Sequence, residues 1–340
     1  MSRIRDANCC VMPSPVLPSR PMTTPVLQIG VLLPTREAVM SGRFDTAPML
    51  ELAERAEALG YDSVWVGDSL LARPRFEPLT LLAAVAARTR RVRVGTAVLL
   101  PALRHPLLLA HAAATVDRIA QGRLLLGVGI APDSPAVRRE FEAAGVPFAQ
   151  RVSRLEETLS LCRQLWTASE AGVTVEGRYW TLRDARLLPT PHRPGGPEIW
   201  MGGEVEAASR RAGRMADAWL PNSVTPEAWA EGWARVQAEA KAAGRPDAVA
   251  PALYTTIHVD PDAGRARETL RHFVEGYYAA PYEAIARIQG FHAGDAASCL
   301  DRLRGFVAAG VRHIVLRFGG GDQAEQLARV TREVVPALRS

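Results

Sequence analysis

From residue 27 onward, short apolar runs alternate with amphipathic segments, and this alternation restricts the fold more than any other feature. The apolar runs are 27–33, 63–67, 92–99, 123–129, 198–202, 216–220, 252–259 and 311–318. Between them, helical periodicity covers 46–60, 77–89, 106–120, 151–167, 204–215, 225–243, 262–276 and 295–309, with a closing helix at 322–338. Strands alternating with helices imply right-handed crossovers and a parallel sheet. Near-continuous apolar strands suit a sheet covered on both faces. Eight such units predict an α/β protein, a (β/α)8 TIM barrel over 27–340, with an open doubly wound sheet as the alternative.

Some of the chain exceeds what barrel connections need. Insertions are expected after strands 4 and 7, at 168–197 and roughly 277–294, and 130–150 reads as a long loop. Tyr179, Trp180, Tyr277, Tyr278 and Phe291 in these insertions suggest lids over an apolar ligand. Residues 1–26, with prolines at 13, 15, 18, 21 and 25, read as a disordered tail, with Met22 an alternative start.

Composition excludes several classes. Basic residues outnumber acidic by 41 to 36, and they are scattered rather than clustered into a nucleic-acid stripe. No run reaches the length of a membrane-spanning helix. The four cysteines form no C-x-x-C or zinc spacing, so no metal is expected and reduced thiols in a cytoplasmic protein are. Lys241 is the sole lysine and lies in a helix, which argues against a Schiff-base aldolase. No H-x-H cluster supports a metal-dependent hydrolase barrel.

The stretch Gly127-Val128-Gly129 invites a dinucleotide-binding reading. However, Pro132 occupies the third glycine position, and Glu156 and Glu157, nearest the expected acidic position, fall inside a helix. In a barrel these glycines flank a strand where a ligand or neighbouring backbone comes close. Barrel chemistry collects at C-terminal strand ends. Those ends are Pro34-Thr35, Asp68-Ser69, Thr96-Ala97-Val98, Gly129-Ile130, Gly202-Gly203, Pro221-Asn222, His258 and Arg317.

Across nearly all of 27–338 the chain resembles the bacterial-luciferase-like family of flavin-dependent oxidoreductases. The resemblance is carried, in order, by AERAEALGYDSVWVGD (53–68), the stretch 92–129, EFEAAGVPFAQRVSRLEETLSL (140–161), PEIWMGGEVEAASRRAGRMADAWLP (197–221) and GVRHIVLRF (310–318). It implies a flavin ring over the C-terminal mouth and a cis non-proline peptide behind it, by position Ala97–Val98. The cofactor-binding set it implies is Asp68, Ala97, Val98, Gly129, Ile130, Gly202 and Gly203. Gly202-Gly203, ahead of a helix N-terminus, would take the cofactor phosphate or ribityl tail. Gly319-Gly320-Gly321 is the rival site.

Many relatives read Asp-His where this chain has Asp68-Ser69, and a hydroxyl is a poor proton shuttle at neutral pH. His258, the one histidine at a strand end, becomes the candidate substitute. Arg317 could grip an anionic substrate or cofactor group. Asp68, His258 and Arg317 are thus the candidate catalytic residues, with helix capping, a structural histidine and a surface ion pair as their ordinary alternatives.

The resemblance leaves the cofactor open between FMN and the 5-deazaflavin coenzyme F420, acting on an apolar small molecule. A luciferase-like monooxygenase on reduced flavin is the family default. A deazaflavin-dependent hydride-transfer dehydrogenase or reductase, and a non-catalytic flavin-binding partner subunit, are the alternatives. Helix-face homodimers are common in the family.

Overall fold

A computed structural model describes residues 26–340. The tail expected over 1–26, including Met22, therefore lies almost wholly outside the described residues. Among the described residues there are eleven strands: β1 Gln28–Leu32, β2 Ser63–Val66, β3 Arg93–Thr96, β4 Leu124–Val128, β5 Val173–Glu176, β6 Thr181–Ala185, β7 Glu198–Gly202, β8 Ala218–Leu220, β9 Ala250–Val259, β10 Phe291–Gly294 and β11 His313–Phe318. Eight of them, β1, β2, β3, β4, β7, β8, β9 and β11, pair in parallel in that order, and β11 returns to β1. The sheet therefore closes into the expected (β/α)8 barrel.

The expected strands are recovered within a few residues because each is apolar on both faces. All four residues of β2 and all six of β11 are buried. One face packs against the surrounding helices and the other fills the barrel. The interior layer holds Trp65, Leu125, Trp200, Ala252 and Val315. The Trp65 and Trp200 rings lie 5.1 Å apart, with His313 edge-on to both. Burial pushes the His313 imidazole down to about 3. One nitrogen meets Ser63 Oγ at 2.7 Å and the other Gln28 Oε1 at 2.9 Å.

The insertions depart from expectation in instructive ways. The loop expected at 130–150 contains a helix, Pro135–Ala143, whose N-cap Ser134 accepts from the Val137 amide. The insertion ahead of β7 folds as the antiparallel hairpin β5–β6. Its aromatics do not form a lid. Tyr179 Oη meets Ser153 Oγ at 2.6 Å, Glu157 accepts from the Tyr179 and Trp180 amides, and the Trp180 ring stacks edge-on to His105. These contacts commit the hairpin to the helix Arg151–Thr167.

The second insertion adds β10 to the sheet. The lower end of β9 pairs with β8, through Ala218–Ala250 and Trp219–Pro251, whereas its upper end pairs with β10, from Thr256–Phe291 to Val259–Gly294. Strand β9 thus rises above the barrel rim. Tyr277 and Tyr278, at the end of the helix Ala263–Tyr278, come down over the mouth, while Phe291 packs on Tyr278 and Tyr282 instead.

Candidate active site at the barrel mouth

A cavity of about 510 Å³ opens at the C-terminal ends of the strands, within the size range of cofactor and ligand sites. Its floor is the segment after β3, where the Ala97–Val98 peptide is cis. The Val98 side chain lies between two strand-end glycines. A methyl group at Gly129 would fall 2.7 Å from Val98 Cγ2, and one at Gly202 would fall 3.1 Å from Val98 Cγ1. Gly127 is needed for strand packing, since its Cβ would sit 1.8 Å from the Thr96 carbonyl oxygen. The Gly-Val-Gly motif therefore admits the neighbouring strand and Val98.

Leu32, Leu100, Ile130, Met201 and Leu220 make the walls apolar. Gly203, with φ of +109°, turns the chain from β7 toward the helix Glu206–Met215. That helix has no side-chain cap, so its first amides remain available to an anionic group. Arg151 and Arg211 line the same cavity. Gly319, Gly320 and Gly321 do not line it. They pack against the helix Ala263–Tyr278 and over the His258 ring.

Asp68 and Ser69 both line the cavity, and both are already engaged. Asp68 Oδ2 accepts from the Leu100 amide at 2.9 Å and from Arg104 Nη1 at 2.5 Å, while Oδ1 accepts from Arg104 Nη2 at 3.2 Å. It caps no helix. Instead it ties the end of β2 to the segment after β3. Ser69 Oγ donates to Glu140 Oε1 at 2.9 Å and accepts from the Arg73 amide at 2.8 Å. The same Glu140 oxygen accepts from the Leu70 and Leu71 amides. The Ser69 hydroxyl thus fastens a loop.

His258, the expected substitute shuttle, does not reach the cavity. It is buried beneath Gly321, and desolvation lowers its pKa. Arg317 does reach the cavity, and its surface ion-pair alternative fails because it is only 2% exposed. Its Nε donates to Thr256 Oγ1 at 2.9 Å, and the rings of Tyr254, Phe273, Tyr277 and Tyr278 surround its guanidinium. Tyr254, also in the cavity, is half-buried, and desolvation drives its pKa well above the ordinary phenol range.

Glu140, Arg104, Arg75 and Tyr254 escaped the sequence reading. The two glutamate and arginine clamps act across long chain separations, and nothing local marks them. Tyr254 lies in mid-strand, where alternation within 252–259 placed it on the same face as His258; that was the available signal.

The luciferase-like monooxygenase family model matches residues 27–313. The F420-dependent glucose-6-phosphate dehydrogenase of Amycolatopsis mediterranei is 30% identical over 330 residues, covering 88% of this chain and 96% of that protein. Among solved structures, an F420-dependent secondary alcohol dehydrogenase in complex with an F420–acetone adduct superposes with a TM-score of 0.78 at 22% identity, covering 93% of this chain and all of that one. The monooxygenase RslO1 from Streptomyces bottropensis superposes at 0.76 with 23% identity, covering 91% and 99%. These structural likenesses extend the agreement on the barrel fold.

Proposed function

Since the chain belongs to the luciferase-like monooxygenase family, we propose that it is a deazaflavin-dependent oxidoreductase that exchanges hydride with a small molecule at the barrel mouth. The observation that carries the choice of cofactor is the near full-length similarity to an F420-dependent dehydrogenase. The cavity fits such a group: a floor kept flat by Gly129 and Gly202, apolar walls, and an uncapped helix start beside Arg151 and Arg211 for an anionic tail. Gly202 and Gly203 would hold the ribityl-phosphate stretch, with Ala97, Val98 and Ile130 backing the ring. A bound deazaflavin supplies a ring carbon that gives or takes hydride and reacts poorly with oxygen.

The chain's own groups favour reduction. Asp68 is held by Arg104, Asp133 by Arg138, and Glu140 by three donors, so these cavity carboxylates are not free bases. The remaining one, Glu204, adjoins the turn assigned to the cofactor tail. Donors are plentiful: Arg75, Arg317, Asn222 and the Tyr254 hydroxyl. A phenol whose pKa is raised by burial stays protonated at neutral pH, so Tyr254 can donate a hydrogen bond that orients and polarises a substrate carbonyl. Ser69, fastened to Glu140, takes no part in proton transfer in this scheme.

A cytoplasmic location and a helix-face homodimer complete the reading. Its support includes two buried thiols, Cys162 and Cys299, that form no disulfide. Oxygenation on reduced FMN is the second reading, favoured by the family's description.

The test is to follow re-oxidation of reduced deazaflavin by carbonyl acceptors, with and without oxygen. Equal rates in both conditions are expected, and Tyr254→Phe should lower kcat by about a hundredfold while cofactor Kd holds. Oxidation that requires oxygen, or that proceeds with FMN alone, would overturn the proposal.

A further inference from the structure

Resting on the reading that this cavity performs hydride transfer, we infer that Arg317 and Arg75 form a built subsite for a compact oxyanion on the substrate, a carboxylate or a phosphate. Arg317 is 2% exposed and faces the cavity, and its Nη2 is buried without a hydrogen-bond partner. Arg75 is held rigidly beside it. Its Nε donates to the Arg73 carbonyl at 3.2 Å and its Nη2 to Tyr277 Oη at 3.1 Å. Its Nη1 occupies the space above Gly67, where a methyl group would lie only 1.8 Å away.

The local charge is unbalanced. Arg36, Arg73, Arg75 and Arg317 gather around Tyr277 and Tyr278, and the carboxylate facing them is Glu37. Among the described residues no carboxylate comes within 4.0 Å of the Arg75 or Arg317 guanidinium. One carboxylate facing four guanidiniums leaves buried positive charge under-compensated, and rings return only part of that cost. The planar fork of a guanidinium matches two oxygens of one oxyanion. Tyr277 Oη accepts from Arg75 and keeps its own proton to donate. A substrate anchored there lies against Tyr254, whose ring is 5.9 Å from the Arg317 guanidinium carbon. The substrate class is then a small carbonyl or hydroxyl compound carrying one compact anionic group.

The experiment is isothermal titration of the full chain with inorganic phosphate and glucose 6-phosphate in one arm and lactate in the other, each sample also being titrated with deazaflavin. Saturable binding in either arm is expected, and the arm that binds identifies the anion. Arg317→Gln and Arg75→Gln should each weaken that binding by about tenfold or more, with deazaflavin affinity changed by less than about threefold. Should Arg317→Gln fail to fold, Arg75→Gln decides. No oxyanion binding in wild type, or unchanged binding in the folded variants, would overturn the subsite. Oxyanion binding without deazaflavin binding would uphold the subsite and overturn the cofactor reading alone.

Discussion

Replacing Glu140 with alanine should loosen the loop that carries Ser69, Arg73 and Arg75 into the cavity while the barrel stays folded. One oxygen of this carboxylate, 1% exposed as a residue, receives the Ser69 hydroxyl at 2.9 Å, the Leu71 amide at 2.9 Å and the Leu70 amide. Hydrogen bonds to a charged group contribute about 1.5–3 kcal/mol each when counted singly. Three bonds to one oxygen do not add fully, and deletion also removes a desolvated charge, so about 3 kcal/mol is the expected net loss. The segment 67–77 has no helix or strand of its own to resist, so the loss should appear as local opening. At about 1.4 kcal/mol per decade, that is roughly a hundredfold faster amide exchange at Leu70, Leu71 and Arg73. Native-state hydrogen exchange reads these amides directly. Glu140→Gln, which keeps an acceptor without the charge, should fall between wild type and alanine. Unchanged exchange at Leu70 and Leu71 in folded Glu140→Ala would refute the clamp.

Two further outcomes follow from buried polar contacts. Asp68→Asn should lower stability to urea by about 2–4 kcal/mol, because Arg104, 17% exposed at its side chain, loses the carboxylate that accepts both its nitrogens; an unchanged unfolding midpoint would remove Asp68 from the structural frame. His313 is held down to about 3 against an unfolded value near 6.5, so the unfolded chain binds the extra proton first as pH falls. Its contribution is complete above pH 6.5 and should shrink by about 3 kcal/mol by pH 4.5, a dependence that His313→Gln should lack in urea titrations at the two pH values. Equal slopes in the two proteins would contradict this assignment.

The barrel was legible because its signal is repeated and local: each strand is a buried apolar run such as SVWV or LLLGV, and each helix has its own periodicity. The same locality explains what was missed. Ser134 begins a helix inside 130–150, but with only nine residues its pattern is too short to stand out from a loop. Tyr179 and Trp180 carry aromatic character that marks burial equally well against a helix or a ligand, and Glu157 decided it. Strand-end logic brought Asp68, Ala97, Val98, Gly129, Ile130, Gly202, Gly203 and Arg317 to one cavity. It failed for His258 because β9 overshoots the rim to pair with β10, which carries the histidine past the mouth and under Gly321. Contacts such as Ser69–Glu140, spanning 71 residues, leave no trace in a single sequence.

The most direct test of the account is a side-by-side equilibrium titration of the full chain with coenzyme F420 and with FMN, repeated on Gly129→Ala. Saturable deazaflavin binding at micromolar concentrations or tighter, stronger than FMN, is predicted. The added methyl should weaken it by displacing Val98, from which it would lie 2.7 Å. Preference for FMN, binding of neither compound, or undiminished affinity in the variant would contradict the placement of a deazaflavin on this floor.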